Sequence, residues 1–188
     1  MTGVVLRNVE LAEKQVELLT QAFPDRKRVA IFWDVISAEQ FAAAERRAKA
    51  FGLDVMSIRF DSEPYDVQSA FRRMAESGPQ MLLALTSPFF AAHAESMGRL
   101  AIQHRLPTMF IFRRYAELGG LMSYGADIVA MYQQAAGHVA KILRGGKAAD
   151  LPVEQPNKFE LVVNLKTAKA IGVELPTSIL LRADEVTE

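Results

Sequence analysis

Two arginines and a tyrosine, Arg113–Arg114–Tyr115, follow directly on the apolar run Thr108–Phe112. A guanidinium presents a rigid fork of donors that matches a carboxylate, so the pair at the end of a buried segment is a candidate anion clamp. A second polar tip is Ser87–Pro88, after the apolar run Met81–Thr86. Serine as helix cap with proline at the first helical position predicts a helix start, whose free N–H groups and dipole favour a small anion. Phe89 and Phe90 stand beside it, Trp33–Asp34 close another apolar run, and Tyr124 lies just past the glycine pair Gly119–Gly120. The candidate ligand-binding residues are therefore Trp33, Asp34, Ser87, Phe89, Phe90, Arg113, Arg114 and Tyr124. An anion cradle beside aromatic faces suits an amino acid or an aromatic carboxylate.

Each of these has a plainer reading. Ser-Pro is first of all a helix start. Phe90 shares a helical face with Ala94 and Met97, which equally means core packing, whereas Phe89 points elsewhere. Trp33 ends a buried strand, the arginines can pair with a neighbouring glutamate, and Tyr124 can be a core or hinge residue.

The residue types speak against catalysis. There is no cysteine, which removes disulfides, thiolate metal sites and cysteine nucleophiles. His93, His104 and His138 all fall inside predicted helices. Thr86-Ser87-Pro88 lacks the flanking glycines of a hydrolase elbow, no glycine-rich phosphate loop follows a strand, and no metal-ligand spacing occurs. The expectation is a non-enzymatic protein with no cofactor and no metal.

The scaffold that must hold these tips is ordinary in size and charge. With 188 residues the chain fits one domain with a sizeable core, and its 22 basic residues balance 22 acidic ones. Nothing marks a nucleic-acid partner or a membrane surface. No apolar run approaches the ~18 residues of a membrane span, and the N-terminus does not read as a signal peptide, so a complete chain of this sequence would be cytoplasmic.

Amphipathic segments alternate with apolar runs. Helices are predicted from Asn8 (as cap) to Phe23, from a capping box of Ser37 with Gln40 to Gly52, over Tyr65–Ser77, and from Ser87 to before Pro107. Between them lie strands Arg28–Trp33, Asp54–Phe60, Met81–Thr86 and Thr108–Phe112, and a further strand spans Leu121–Tyr124. The order predicts right-handed crossovers and a mainly parallel, doubly wound sheet covered on both faces, an α/β three-layer sandwich. Ligands in such sheets bind beyond the carboxyl ends of the strands. Asp127 then caps a long helix to Arg144. A proline-bearing connector (Lys147–Lys158), a strand (Phe159–Val163) and a short helix capped by Asn164 follow. The tail Pro176–Glu188 holds a SILL run that could pack or add an edge strand.

From Thr86 onward the chain closely resembles the ABC-transporter substrate-binding proteins of the tryptophan/tyrosine uptake receptor type. The most specific pieces are GGLMSYG (119–125), KILRGGKAADLPVEQP (141–156) and FELVVNLKTAKAIG (159–172), and Val9–Trp33 resembles the family's lead into its second lobe. The resemblance implies one lobe of a type I periplasmic-binding protein, periplasmic location, a small-molecule solute, and permease and ATPase partners. The second lobe would span about 1–120, with crossover helix, connector and return strand over about 121–188; a first lobe is absent from this sequence. The ligand would face the Trp33–Asp34 tip, Ser87–Phe90 and Arg113–Tyr115, with Tyr124–Gly125 at the return crossover. The apolar stripe Ile128, Met131, Ala135, Val139 and Ile142 would lose its cover, predicting a homodimer. The alternative is an oligomeric module that has lost solute capture.

Overall fold

Every other residue of the run from Arg28 to Asp34 points to one face of a sheet, and both faces are buried. That is why its interior, Val29–Trp33, is apolar without interruption. In the computed structural model, residues 2–62 and 64–188 are described. The chain opens with a two-residue strand β1 (Gly3–Val4) and helix α1 (Asn8–Ala22). Then come β2 (Arg28–Asp34), α2 (Ala38–Ala50), β3 (Asp54–Phe60), α3 (Val67–Ser77) and β4 (Met81–Ala84). Two short helices, α4 (Pro88–Ala92) and α5 (Ala94–Gln103), lead to β5 (Thr108–Phe110), α6 (Arg113–Glu117) and β6 (Met122–Ala126). The remainder is α7 (Ile128–Leu143), a 3-10 turn at Ala148–Asp150, β7 (Val153–Glu154), β8 (Phe159–Asn164), α8 (Leu165–Ile171), α9 (Thr177–Leu180) and β9 (Glu185–Thr187).

The main sheet has the order β3-β2-β4-β5-β6-β8-β9, parallel throughout except between β6 and β8. Alternate strand residues feed two cores. On one face Val29, Ile31, Leu83 and Met109 pack under α1, α2 and α8; on the other Phe32, Leu82 and Phe110 meet Phe71, Phe90 and Met97 from α3, α4 and α5. This is the expected three-layer α/β sandwich. Close backbone approach fixes two glycines: a β-carbon on Gly125 would lie 2.0 Å from the Ile111 carbonyl oxygen, and one on Gly98 would lie 2.0 Å from that of Leu118.

A separate parallel pair, β1 with β7, stands apart from the main sheet and carries α7. His138 alone on α7 is buried, while Val129, Tyr132, Val139, Ile142 and Leu143 are exposed. Of the stripe read from the sequence only Val139 and Ile142 are exposed, whereas Ile128, Met131 and Ala135 are half-buried; the open apolar face is completed by Val129, Tyr132 and Leu143.

Several local expectations change. Arg7, not Asn8, occupies the cap position of α1. The capping box at Ser37 does not form: Ser37 turns back to Asp34, and Gln40 instead exchanges two hydrogen bonds with the Thr86 backbone (3.0 and 3.2 Å). The long helix after Ser87 is broken at His93, whose carbonyl accepts both the Ser96 hydroxyl (2.8 Å) and the Met97 amide. Strand β5 stops at Phe110 rather than Phe112, and Arg113 and Arg114 begin helix α6. The SILL run is helical, with Ile179 buried, and the edge strand lies beyond it at Glu185–Thr187.

Candidate functional site

The carboxyl ends of β5 and β6 open on a cavity of about 740 Å³. One wall is α6, which forms because Tyr115 and Ala116 can be buried at the end of β5. Tyr115 stacks on Phe110 at 5.0 Å, and burial pushes its hydroxyl up to about 12. Asn164 holds the far end of α6 through Nδ2 to the Ala116 carbonyl (2.8 Å), while its Oδ1 caps α8 at the Thr167 amide. The opposite wall is the β6–α7 junction, where Asp127 Oδ1 accepts from the Val129 and Ala130 amides. Glu160 on β8 also lines the cavity.

The cavity is electrostatically mixed: Arg113 and Arg114 line it together with Glu95, Glu117, Asp127 and Glu160. Arg113 reaches Glu117 (3.2 Å), Glu160 (3.7 Å) and Glu185. Arg114 is largely exposed and meets only Glu117, at 3.4 Å, among the described residues. Lys158 Nζ lies 2.7 Å from Asp127 Oδ2; that hydrogen bond, with the backbone amides, holds the Asp127 carboxyl below its ordinary value. Glu160 shifts the other way, raised first by burial and then by the negative charge of Asp127.

The structure brings only Arg113 and Arg114 of the candidate residues into this cavity. Asp34 is fully buried at the tip of β2, where it accepts from Ser37 and from the Tyr65 hydroxyl (3.0 Å) and is also hydrogen-bonded by Ser87. Ser87 is buried and caps α4 through the Phe89 amide. These two join neighbouring loops rather than facing solvent. Phe90 lies inside the aromatic core of Phe32, Phe60 and Tyr65, so its core reading holds. Phe89 is partly exposed, with its ring edge toward Tyr65. Trp33 is sandwiched between Phe41 at 4.5 Å and the Arg59 guanidinium, and donates to Ser57. Tyr124 lines a separate small cavity with Phe159 near the crossover. The residues missed from sequence are Glu117, Asp127 and Glu160. One signal was present for Glu160, a lone charge in the apolar run Phe159–Val163.

A mainly parallel sheet with helices on both faces and a cavity at its carboxyl edge defines a lobe of the type I periplasmic-binding fold. Residues 1–187 match the family model described as ABC transporter substrate binding protein, and the chain belongs to that family. Among solved structures it is similar to a conserved domain protein from Vibrio cholerae (25% identity, TM-score 0.85, covering 98% of this chain and 61% of that one). It is also similar to an ABC domain from Streptococcus pneumoniae solved in complex with L-Trp (24% identity, TM-score 0.83, 98% and 64%). A third is the ligand-free, open form of a substrate binding protein with adhesive properties from Clostridium difficile (21% identity, TM-score 0.69, 93% and 59%). This chain spans about three fifths of the length of these structures. Comparison with curated proteins finds no match.

Proposed function

We propose that the cavity beyond β5 and β6 receives a small organic solute, an amino acid or an aromatic carboxylate, and that the chain serves an ABC-type importer as its non-enzymatic solute-binding component. The observation that carries this reading is the cavity itself. At about 740 Å³ it falls in the range of small-molecule sites, and it sits where open α/β sheets bind ligands. Arg114, exposed at its edge, can take a carboxylate, and half-buried Phe112 offers an aromatic face. The S. pneumoniae structure solved with L-Trp supports a solute of this class. Permease and ATPase subunits are the corresponding partners, and an extracytoplasmic location goes with that role. In this reading residues 1–120 form most of the ligand-facing lobe, and α7 with the β1–β7 pair belongs to the crossover region.

The uncovered apolar face of α7 favours a second reading, an oligomeric module without solute capture. Calorimetric titration with L-tryptophan, L-phenylalanine and benzoate, up to about 10 mM, separates the two. Saturable binding that Arg114→Ala weakens supports the first reading. Silence across the panel supports the second. Loss with Phe89→Ala but not with Arg114→Ala would move the site toward α4.

A further inference from the structure

We propose that Glu160 is the acceptor for a ligand ammonium group, so that the cavity selects an amine-bearing solute over the corresponding simple acid; this rests on the solute-binding reading above. The Glu160 side chain is nine-tenths buried and lines the cavity. No described residue donates a hydrogen bond to its carboxylate. Its nearest cation is Arg113 Nη1 at 3.7 Å, and the other nitrogens of that guanidinium are taken by Glu117 and Glu185. Every other carboxylate deep in the wall is better served. Asp127 has Lys158 at 2.7 Å and two backbone amides.

A buried carboxylate without donors is costly, and a primary ammonium carries three donors and the opposite charge. A simple anion in the same place would meet Glu160 and Asp127 and be repelled. A zwitterion satisfies both ends of the cavity: the ammonium inward on Glu160, the carboxylate outward toward exposed Arg114. Arg113 then acts on the solute only through Glu160, as a positioning residue locked by its carboxylates. Burial and the negative charge of Asp127 raise the protonation range of Glu160 despite the opposing pull of Arg113 and Lys158, so its carboxylate is incompletely compensated.

The test uses three matched probes on the full chain at neutral pH: L-phenylalanine, 3-phenylpropionate and phenethylamine, followed by calorimetry or ligand-observed NMR. L-phenylalanine is expected to bind at least about tenfold more tightly than 3-phenylpropionate. Glu160→Gln is expected to collapse that ratio toward one, weakening L-phenylalanine and relieving the repulsion of 3-phenylpropionate. Asp127→Asn, which preserves a helix cap, is expected to reduce the ratio less. If 3-phenylpropionate binds as well as L-phenylalanine, or if the preference survives in Glu160→Gln, the assignment is overturned while solute binding stands. If none of the three probes binds and L-tryptophan is also silent, the solute-binding reading falls and takes this one with it. A wild-type ratio near one overturns the assignment whether or not a variant folds.

Discussion

The Tyr65 hydroxyl donates to Asp34 Oδ2 at 3.0 Å, joining the loop before α3 to the tip of β2 beneath the surface. Tyr65→Phe leaves that oxygen one donor short in a buried place. The expected loss is about 1–2 kcal/mol of stability, read from urea unfolding. An unchanged midpoint would show that this bond contributes nothing net.

Asp34 also gives the fold an acid sensitivity. Burial pushes its carboxyl up, but hydrogen bonds from Ser87, Ser37 and Tyr65 together outweigh that and hold it below the ordinary value. A depressed folded-state pKa contributes stability that is present above the unfolded value, near pH 4, and lost as pH falls through the folded value. The melting temperature of the wild-type chain is therefore expected to fall more steeply below about pH 4 than that of Asp34→Asn. Parallel curves would remove Asp34 as the cause.

Arg113 and Glu160 are expected to respond oppositely to removal. Arg113→Met leaves Glu185 and the buried Glu160 without that cation, while Glu117 keeps Arg114, at a cost of about 1–3 kcal/mol, whereas Arg114→Ala at its exposed neighbour costs less than about 0.5 kcal/mol. Glu160→Gln removes a carboxylate whose folded pKa is raised. Its charge opposes folding above that pKa, and the penalty fades as pH falls through it. This variant is expected to match or exceed wild-type stability at pH 7, with the difference shrinking on acidification into the carboxylate range. Thermal melts across pH check both variants, and a large neutral-pH loss in Glu160→Gln would contradict the assignment.

Gly125 and Gly137 form a second contrasting pair. A β-carbon at Gly125 meets the Ile111 carbonyl at 2.0 Å, so Gly125→Ala must push β6 from β5 and is expected to cost about 2–3 kcal/mol or prevent folding. At Gly137, within α7, nothing lies within 4 Å, and alanine there is expected to stabilise by about 0.5–1 kcal/mol through helix propensity. Denaturant midpoints of the two variants decide it.

The exposed face of α7 predicts self-association. Tyr132 and Leu143 are 74% and 82% exposed, beside Val129 and Val139. Light scattering is expected to give a mass above that of one chain, rising with concentration, and Tyr132→Glu with Leu143→Glu is expected to return it to a monomer. A monodisperse monomer in the wild type would rule out the homodimer.

What the residue order determined by itself is the alternation of elements, and with it the fold. Apolar runs such as Val29–Phe32 and Met81–Leu85 need cover on both faces, helices between them supply it, and right-handed crossovers leave little choice of topology. The motif GGLMSYG, which carries the family resemblance, has a local reason as well: Gly119 adopts φ +103°, and Gly120 and Gly125 lie against Phe110 and Ile111. Only the tertiary structure decided the site. Whether a polar side chain at a strand tip faces solvent or a neighbouring loop depends on partners distant in sequence. Asp34 meets Tyr65 31 residues away, and Gln40 meets Thr86 46 residues away. Glu160 reaches the same cavity as Arg113 because β8 returns antiparallel beside β6, a pairing that no local pattern records. Charge near an end of a strand can be read from sequence; which opposite charge it meets is set by the packing of the chain.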